Sequence, residues 1–282
     1  MPELPEVETI ARGVDARVRG DRIMEGWFGS HKEPFKTPAS RQAKLLAERR
    51  ILSVHRTGKH IVFELGIQGD RRSALRSKEV AAQWIVHLGM TGRLLVTTPD
   101  AEIAKHTHSR LRLESGRELR FVDPRRFGRL EFRDLARLKG FAGPGAEPLT
   151  IEAEEFMELF RGRKLTIKAA LLNQKLLSGV GNIYADESLF RAGIRPGRRA
   201  GRLTKKELES LRASLAEVLQ HAIRLGGSSV SDYVDADGAK GFFQLEHFVY
   251  QRGGEPCRRC GREIRRIVIA GRSTHYCSSC QQ

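Results

Sequence analysis

All four cysteines of the chain lie within its last 26 residues, at Cys257, Cys260, Cys277 and Cys280. They form two Cys-x2-Cys pairs separated by 16 residues, a spacing at which two tight turns can surround one tetrahedral Zn²⁺ with four thiolates. Four protein ligands fill the coordination sphere, so the pattern predicts one structural zinc ion with no open position for catalysis. The alternatives are a redox dithiol or unliganded cysteines, and either would leave a segment of about thirty residues with almost no apolar core.

Residues 251–282 are also strongly basic, because seven arginines and no lysine stand against two glutamates, which leaves a net charge of +5. The whole chain has 50 Lys and Arg against 34 Asp and Glu, a net charge of +16 that favours a polyanionic partner. A planar guanidinium fits phosphate oxygens well, so nucleic acid is the expected partner. An anionic membrane surface is disfavoured, because the sequence has no run of eighteen apolar residues and no long basic amphipathic helix.

The first ten residues, MPELPEVETI, are acidic and lack a basic flank followed by an apolar stretch. They match neither a secretory nor a mitochondrial signal, so we expect the protein in the cytoplasm. A reducing compartment disfavours disulfides, which supports zinc ligation by the cysteines.

Hydrophobic periodicity predicts the fold class. Apolar residues recur at helical spacing from Val7 to Val14, after Pro5, which suits a first helical turn. From about Ile23 to Phe132 the period changes to two, which predicts an antiparallel β-sandwich or barrel. The alternating sets are Ile61, Phe63 and Leu65; Trp84, Val86, Leu88 and Met90; and Leu111 and Leu113 facing Leu119 and Phe121.

The second half of the chain is predicted to be helical. Thr204 and Glu207 fit a capping box, an apolar stripe runs from Leu208 to Ala222, and Gly226 with Gly227 can end the helix. We therefore expect an α+β chain with an N-terminal β domain at 1–135, a linker at 136–150, a helical domain at 151–250 and a zinc finger at 251–282. Residues 69–78 form a polar loop insertion in this interpretation, and residues 228–241 form a mobile loop.

The extreme N-terminus offers a nucleophile. Removal of the initiator Met leaves Pro2 with a free secondary amine, which can attack an anomeric carbon and form an iminium. Glu3 and Glu6 lie within a turn of it and can move protons. Taken alone, proline and glutamate at a helix start are ordinary capping residues, and that interpretation stays open at this point.

Five motifs in order change this balance. They are Met1-Pro-Glu-Leu-Pro-Glu-Val-Glu-Thr9, His87-Leu-Gly-Met90, Asp123-Pro-Arg-Arg-Phe-Gly128, Gly179-Val-Gly-Asn-Ile-Tyr-Ala-Asp-Glu187 and the four-cysteine finger. Together they closely resemble the formamidopyrimidine-DNA glycosylase family, from the first residue to the last. The resemblance implies a β-sandwich domain with an N-terminal helix, a helical domain with a helix-two-turn-helix, and a β-hairpin zinc finger.

The resemblance also implies residue roles. The nucleophile is Pro2, the proton donor is Glu3, Lys59 serves β-elimination and phosphate contact, and Arg272 assists δ-elimination, with Glu6 in support. Residues that fill the space left by an extruded base are Met90, Arg125 and Phe127. DNA contacts fall on His106, Arg125, Arg163, Lys168, Asn182 and Tyr250, and residues 228–241 match the family's lid. Two departures affect contacts: Thr107 stands where the family often has Asp, and Gln251 stands where Gly is usual.

The function implied is base-excision repair of duplex DNA that contains oxidised purines or abasic sites, with strand cleavage through a Schiff base. The enzyme would work as a monomer, with the structural zinc, no organic cofactor and no membrane partner, at the bacterial nucleoid. One alternative is an endonuclease VIII-like enzyme for oxidised pyrimidines, although those proteins usually begin Pro-Glu-Gly-Pro where this chain has Pro-Glu-Leu-Pro. Another is a non-catalytic protein that binds damaged DNA, which would not need a free secondary amine.

Overall fold

The computed structural model describes residues 1–31, 34–68, 79–229, 236 and 238–282. The chain divides into two compact units between Ala142 and Gly143, inside the predicted linker. Unit 1 consists of Met1–Pro2, Glu6–Ala142 and Ser228–Gly241, and unit 2 consists of Glu3–Pro5, Gly143–Gly227 and Phe242–Gln282. The predicted loop insertion at 69–78 lies outside the described residues.

The first helix, α1, spans Leu4–Val18, and Pro5 lies in its first turn as predicted. Its apolar face, from Val7 to Val14, is buried in the core of unit 1. Glu6 in the first turn lies near the positive end of the helix dipole, which favours a carboxylate there.

Eight strands and a second helix follow α1 in the described part of unit 1. In chain order they are β1 Ile23–Phe28, α2 Ala39–Leu46, β2 Ile51–Thr57, β3 His60–Leu65, β4 Ala82–His87, β5 Arg93–Thr97, β6 Thr107–Leu113, β7 Glu118–Val122 and β8 Arg129–Asp134. They form two antiparallel four-stranded sheets, with strand orders β1-β6-β7-β5 and β2-β3-β4-β8. Both sheets and α1 contribute to one apolar core that includes Phe63, Trp84 and Phe121, which confirms the predicted sandwich.

Two local predictions need correction. The alternating pattern extends to Met90, but β4 ends at His87 because Gly89 adopts a φ of +66° and begins a turn. The short amphipathic helix α2 also lies within the stretch that was predicted to form strands. The predicted β6–β7 hairpin is confirmed, with Leu111 opposite Leu119.

Unit 2 is helical up to the finger. Its helices are α3 Ala153–Glu158, α4 Ile167–Leu172, α5 Asn182–Arg191 and α6 Lys205–Arg224, with 3-10 turns at Ala200–Arg202 and Phe243–Glu246. The predicted capping box at Thr204 and Glu207 begins α6, and Gly226 ends it with a φ of +74°. Within the described residues, no helix is both long enough and apolar enough to cross a bilayer.

The finger is a hairpin of β9 Ile264–Ile269 and β10 Arg272–Cys277. Ala270 and Gly271 form its tip, and both have positive φ angles. Ile264, Cys257 and Cys277 pack with Phe190 of α5 and Val249, so the finger shares a small core with the helical part of unit 2. This packing was not predicted.

Candidate active site

The carboxylate of Glu3 is held inside unit 2. The residue is only 5% exposed, and its Oε1 accepts a hydrogen bond of 3.3 Å from the backbone N–H of Ile183, in the first turn of α5. The next residue, Leu4, donates its backbone N–H to the carbonyl of Gly179 at 3.0 Å. The residue before Glu3 is Pro2, which is buried. The residue predicted to be the proton donor is therefore held by a hydrogen bond, and it directly follows the predicted nucleophile in the sequence.

Two glycines of the Gly179-Val-Gly-Asn182 motif explain how Glu3 comes so close to the start of α5. A Cβ on Gly181 would lie 2.2 Å from Cδ of Glu3 and 2.3 Å from its Oε1. Gly179 has a φ of +93°, and a Cβ there would lie 2.9 Å from the side chain of Leu4. Asn182 at the end of this motif is a predicted DNA contact, and the two glycines before it leave the space that Glu3 and Leu4 occupy.

The lid predicted at 228–241 begins at a carboxylate of unit 1. Glu6 is 2% exposed, and its Oε1 accepts a hydrogen bond of 2.7 Å from the backbone N–H of Ser228. Residues 230–235 and 237 of this predicted lid lie outside the described residues. Glu6 therefore anchors the first described residue of the segment.

Lys59 lies in the two-residue turn of the β2–β3 hairpin, and its side chain is largely buried. On the adjacent strand, His87 pairs with His60 in register. Burial, followed by the charges of His60 and Lys59, lowers the pKa of His87 to about 4, so its ring is neutral at neutral pH. Its Nδ1 accepts the backbone N–H of Gly89 at 3.1 Å, which leaves Nε2 as the protonated nitrogen and a hydrogen-bond donor.

The three predicted void-filling residues lie on two touching turns of unit 1. Met90 and Phe127 are exposed, 40% and 49% respectively, and the guanidinium of Arg125 lies 4.7 Å from the ring centroid of Phe127. The turns meet at Gly89, where a Cβ would lie 2.5 Å from the backbone of Phe127. Exposed apolar side chains at turn positions suit insertion between bases better than core packing.

Asp123 joins these two turns. Its side chain is fully buried, with Oδ1 accepting the Thr91 hydroxyl at 2.6 Å and Oδ2 accepting the backbone N–H of Gly128 at 2.8 Å. The backbone N–H of Arg125 lies 3.3 Å from the same Oδ1. One carboxylate thus fixes both loops that carry the exposed side chains.

Asn182 and Tyr250 lie together in unit 2. The amide of Asn182 donates to the carbonyl of Ser273 at 2.9 Å, and it also hydrogen-bonds the phenol of Tyr250. Burial raises the pKa of Tyr250, so its hydroxyl stays protonated and can donate. The predicted phosphate contacts of α5 and of the segment before the finger are therefore hydrogen-bonded to each other.

A buried carboxylate fixes the backbone around Tyr250. Glu187 accepts hydrogen bonds from the backbone N–H groups of Phe248, Val249 and Tyr250 at 3.0, 3.0 and 2.8 Å. Burial raises the pKa of Glu187, and these three donors act against that shift. Next to this segment, Gln251 has a φ of +59°, a conformation that favours the glycine usual in the family.

The remaining predicted residues differ in exposure. Arg272 is exposed at the tip of the hairpin, His106 is exposed with a φ of +70°, and Arg163 is half-buried with its Nε directed to the carbonyl of Leu159. Lys168 is different, because its side chain is 0% exposed and its Nζ lies 2.7 Å from Oδ1 of Asp186, which is also 0% exposed. The ammonium of Lys168 is therefore engaged inside unit 2, and its direct contact with DNA stays a prediction.

The four cysteines converge. Their Sγ atoms all lie within 4.8 Å of one another, with 3.9 Å between Cys257 and Cys280 and 3.5 Å between Cys260 and Cys277. Zn–S bonds of about 2.3 Å in a tetrahedron require sulfur atoms about 3.8 Å apart, so the four thiols fit a structural zinc ion. The backbone N–H of Arg259 points to Sγ of Cys257 at 3.4 Å, an interaction that supports a thiolate.

Family models match three successive parts of the chain. They are the formamidopyrimidine-DNA glycosylase N-terminal domain at residues 1–130, the formamidopyrimidine-DNA glycosylase H2TH domain at 143–234, and the zinc finger found in FPG and IleRS at 254–282. The chain belongs to the formamidopyrimidine-DNA glycosylase family.

Individual members agree with this assignment. The chain is 43% identical over 282 residues to the formamidopyrimidine-DNA glycosylase of Solibacter usitatus, with both chains fully covered. A Lactococcus lactis FPG variant in complex with DNA containing Fapy-dG has a TM-score of 0.87 at 35% identity, again over the whole of both chains. Wild-type Lactococcus lactis FPG (MutM), bound to DNA that contains an oxidised pyrimidine, has a TM-score of 0.86 at 35% identity over both whole chains.

Three residues that organise the site were not predicted from the sequence. His87 and Asp123 each occupy a position in a quoted motif, but only their neighbours Met90, Arg125 and Phe127 were given roles. Asp186 likewise lies within the Gly179–Glu187 motif. In each case the sequence shows only that the residue is polar. The buried groups to which its side chain hydrogen-bonds are identified only in the folded chain.

Proposed function

We propose that the chain is a bifunctional DNA glycosylase and abasic-site lyase that removes oxidised purines from duplex DNA through a Schiff base on Pro2. The observation that carries the proposal is the buried Glu3 carboxylate, hydrogen-bonded to the start of α5 and adjacent in sequence to Pro2. Formamidopyrimidine-DNA glycosylase family membership supports DNA with oxidised bases as the substrate. Because that substrate is chromosomal, the proposed place of action is the bacterial nucleoid.

The chemistry begins at the nitrogen of Pro2 once Met1 has been removed. This nitrogen bonds to C1′ of the extruded nucleotide while the bond from C1′ to the base breaks, and the base leaves with its electron pair and a proton supplied through Glu3. Opening of the C1′–O4′ bond, with a proton moving to O4′, gives an iminium between Pro2 and C1′. The positive iminium acidifies the proton on C2′.

Two eliminations then cut the strand. Loss of the C2′ proton expels the 3′ phosphate, and a second elimination expels the 5′ phosphate, after which water releases the sugar fragment from Pro2. We assign Lys59 to the first step and to phosphate contact, and Arg272 to the second. Met90, Arg125 and Phe127 occupy the space left by the extruded base, and His106, Arg163, Asn182 and Tyr250 contact DNA.

The zinc ion has a structural part in this proposal. Cys257, Cys260, Cys277 and Cys280 hold it, and bound zinc stabilises the hairpin that carries Arg272. All four ligand positions belong to the protein, so the residues above carry the chemistry.

Borohydride trapping on a duplex with one 8-oxoguanine tests the proposal. We expect a covalent adduct that mass spectrometry places on Pro2, and a Pro2→Gly variant should lose most of it. A Glu3→Gln variant should lose base excision but still form the adduct on DNA that already contains an abasic site. Glu154→Gln, at an exposed position of α3, is the matched control.

Two other outcomes are informative. The absence of adduct and cleavage on 8-oxoguanine, formamidopyrimidine and abasic duplexes would refute the enzyme and leave a damage-binding protein. Faster excision of an oxidised pyrimidine than of either purine lesion would instead favour the endonuclease VIII-like alternative. The complex of Lactococcus lactis FPG with DNA that contains an oxidised pyrimidine is a reason to include that substrate.

A further inference from the structure

The ion pair of Lys168 and Asp186 is the most deeply buried charged contact in unit 2 among the described residues. Both side chains are 0% exposed, and Nζ lies 2.7 Å from Oδ1. Removing two charges from water costs about as much free energy as their attraction returns, so stability alone is a poor reason for such a pair. A buried pair with further hydrogen bonds does, however, fix one geometry.

The partners of Lys168 show which geometry is fixed. Its ammonium donates to the carbonyl of Ser273 at 2.9 Å and to the hydroxyl of Thr274 at 2.8 Å, in addition to its contact with Asp186. An ammonium has three N–H donors, and two of them are engaged in these hydrogen bonds, beside the 2.7 Å ion-pair contact with Asp186. Two of the three partners are the residues that directly follow Arg272.

Asp186 contacts the next residue of the same strand. Its Oδ2 accepts the backbone N–H of His275 at 2.9 Å, and Nδ1 of the His275 ring lies 3.4 Å away. The pair therefore contacts three consecutive residues at the start of β10. The carbonyl of Ser273 also accepts the amide of Asn182, which joins the pair to the first residue of α5.

These contacts link the proposed functional residues of unit 2 into one network, which we call the frame. Glu3 hydrogen-bonds to Ile183, one residue after Asn182, and Arg272 precedes Ser273. Burial lowers the pKa of Lys168, the charges of Asp186 and Glu3 raise it, and the charge of Arg272 lowers it, so all of these groups lie within electrostatic reach of the ammonium. The buried pair is therefore within electrostatic reach of both the predicted proton donor Glu3 and the exposed Arg272.

We propose that Lys168 and Asp186 are positioning residues for δ-elimination, which hold the start of β10 so that Arg272 keeps a fixed place relative to Asn182 and Glu3. This rests on the proposed function, since it assumes the role given to Arg272 above. It replaces the predicted direct DNA contact of Lys168 with an indirect role. A displacement of about 1 Å in a reacting group lowers rates on the order of 100-fold, so loss of the frame has a measurable effect.

The test compares β- and δ-elimination products on a duplex with one abasic site. The main variant is Lys168→Met/Asp186→Asn, which removes both charges together and leaves no unpaired buried charge. We expect it to retain zinc, to bind abasic DNA with unchanged affinity, and to form the Pro2 adduct at a yield within about threefold of wild type, while the ratio of δ to β product falls at least about tenfold. Lys164→Met, an exposed lysine just before α4, is the matched control and should keep the wild-type ratio.

Several outcomes decide the matter. A folded, zinc-loaded double variant with an unchanged product ratio overturns the positioning role, and so does a loss of affinity for abasic DNA at constant ratio, which would mean direct contact. If the double variant loses zinc, Asp186→Asn alone is assayed by the same ratio, because Asn can still accept the N–H of His275. If the wild-type protein forms no δ product, the role proposed for Arg272 is wrong. If the wild-type protein forms δ product and Arg272→Ala loses it, the role of Arg272 stands and the double variant tests the positioning role alone.

Discussion

A methyl group at Gly181 should separate base excision from strand cleavage. The Cβ of a Gly181→Ala variant would lie 2.2 Å from Cδ of Glu3, whereas ordinary contact begins at 3.4 Å, so the carboxylate must move by about 1.2 Å. The end of a glutamate side chain can move without unfolding the protein, but it then leaves the N–H of Ile183. A displacement of about 1 Å in a catalytic group reduces the rate on the order of 100-fold.

The assay is single-turnover excision of 8-oxoguanine, measured beside β-elimination on a preformed abasic site. We expect the excision rate to fall on the order of 100-fold, as in Glu3→Gln, while elimination through Pro2 changes by less than about fivefold. Gly197→Ala is the matched control, since a Cβ there meets nothing within 4 Å.

Retention of full excision by Gly181→Ala, in a protein with an unchanged melting temperature, would refute the reasoning. It would mean either that Glu3 donates no proton or that its carboxylate works equally well 1 Å away. An equal loss of both activities would show that the glycine supports the whole site and not the carboxylate alone.

Three further predictions concern stability. Gln251→Gly should raise the free energy of unfolding by about 1 kcal/mol, measured by denaturant titration, because it relieves a left-handed backbone at φ +59°; a lower value would contradict this. Cys260→Ser, or zinc removal by a chelator, should unfold the hairpin and abolish DNA binding while the sheets of unit 1 keep their circular dichroism; full DNA affinity without zinc would contradict it. Arg198 lowers the folded pKa of Glu207 to about 2, so this carboxylate stabilises the protein above pH 4.5 and loses its effect as the pH falls toward 2. Glu207→Gln should therefore lower the melting temperature at pH 7 by an amount that shrinks below pH 4.5, and a constant difference, or an equal one in Glu209→Gln, would refute it.

Local sequence patterns predicted much of the fold. Helical spacing after Pro5 indicated α1, period-two alternation indicated the sheets, and the capping box located the start of α6. These patterns work because burial on one face imposes a short sequence period. The end of β4 could not be predicted in this way. The alternation of apolar and polar residues continues to Met90, but the backbone turns at Gly89 and ends the strand before it.

The site was predicted unevenly. The cysteine spacing specified the zinc ligands, because coordination geometry restricts both residue type and separation. The burial of Lys168 was not predictable, since a lysine in a helix gives no sign that an aspartate eighteen positions later will enclose it. The same holds for Asp123, whose side chain accepts the hydroxyl of Thr91 and the backbone N–H groups of Arg125 and Gly128.

The adjacent carboxylates of Asp186 and Glu187 limit how this enzyme can be re-engineered. The first receives the N–H of His275 in the finger, and the second receives three consecutive N–H groups ending at Tyr250. A chimera that joins residues 248–282 of this chain to the helices of another protein must therefore supply both acceptors, or leave these amides without partners. The finger is thus not an exchangeable module, and a transplant is best cut before α5.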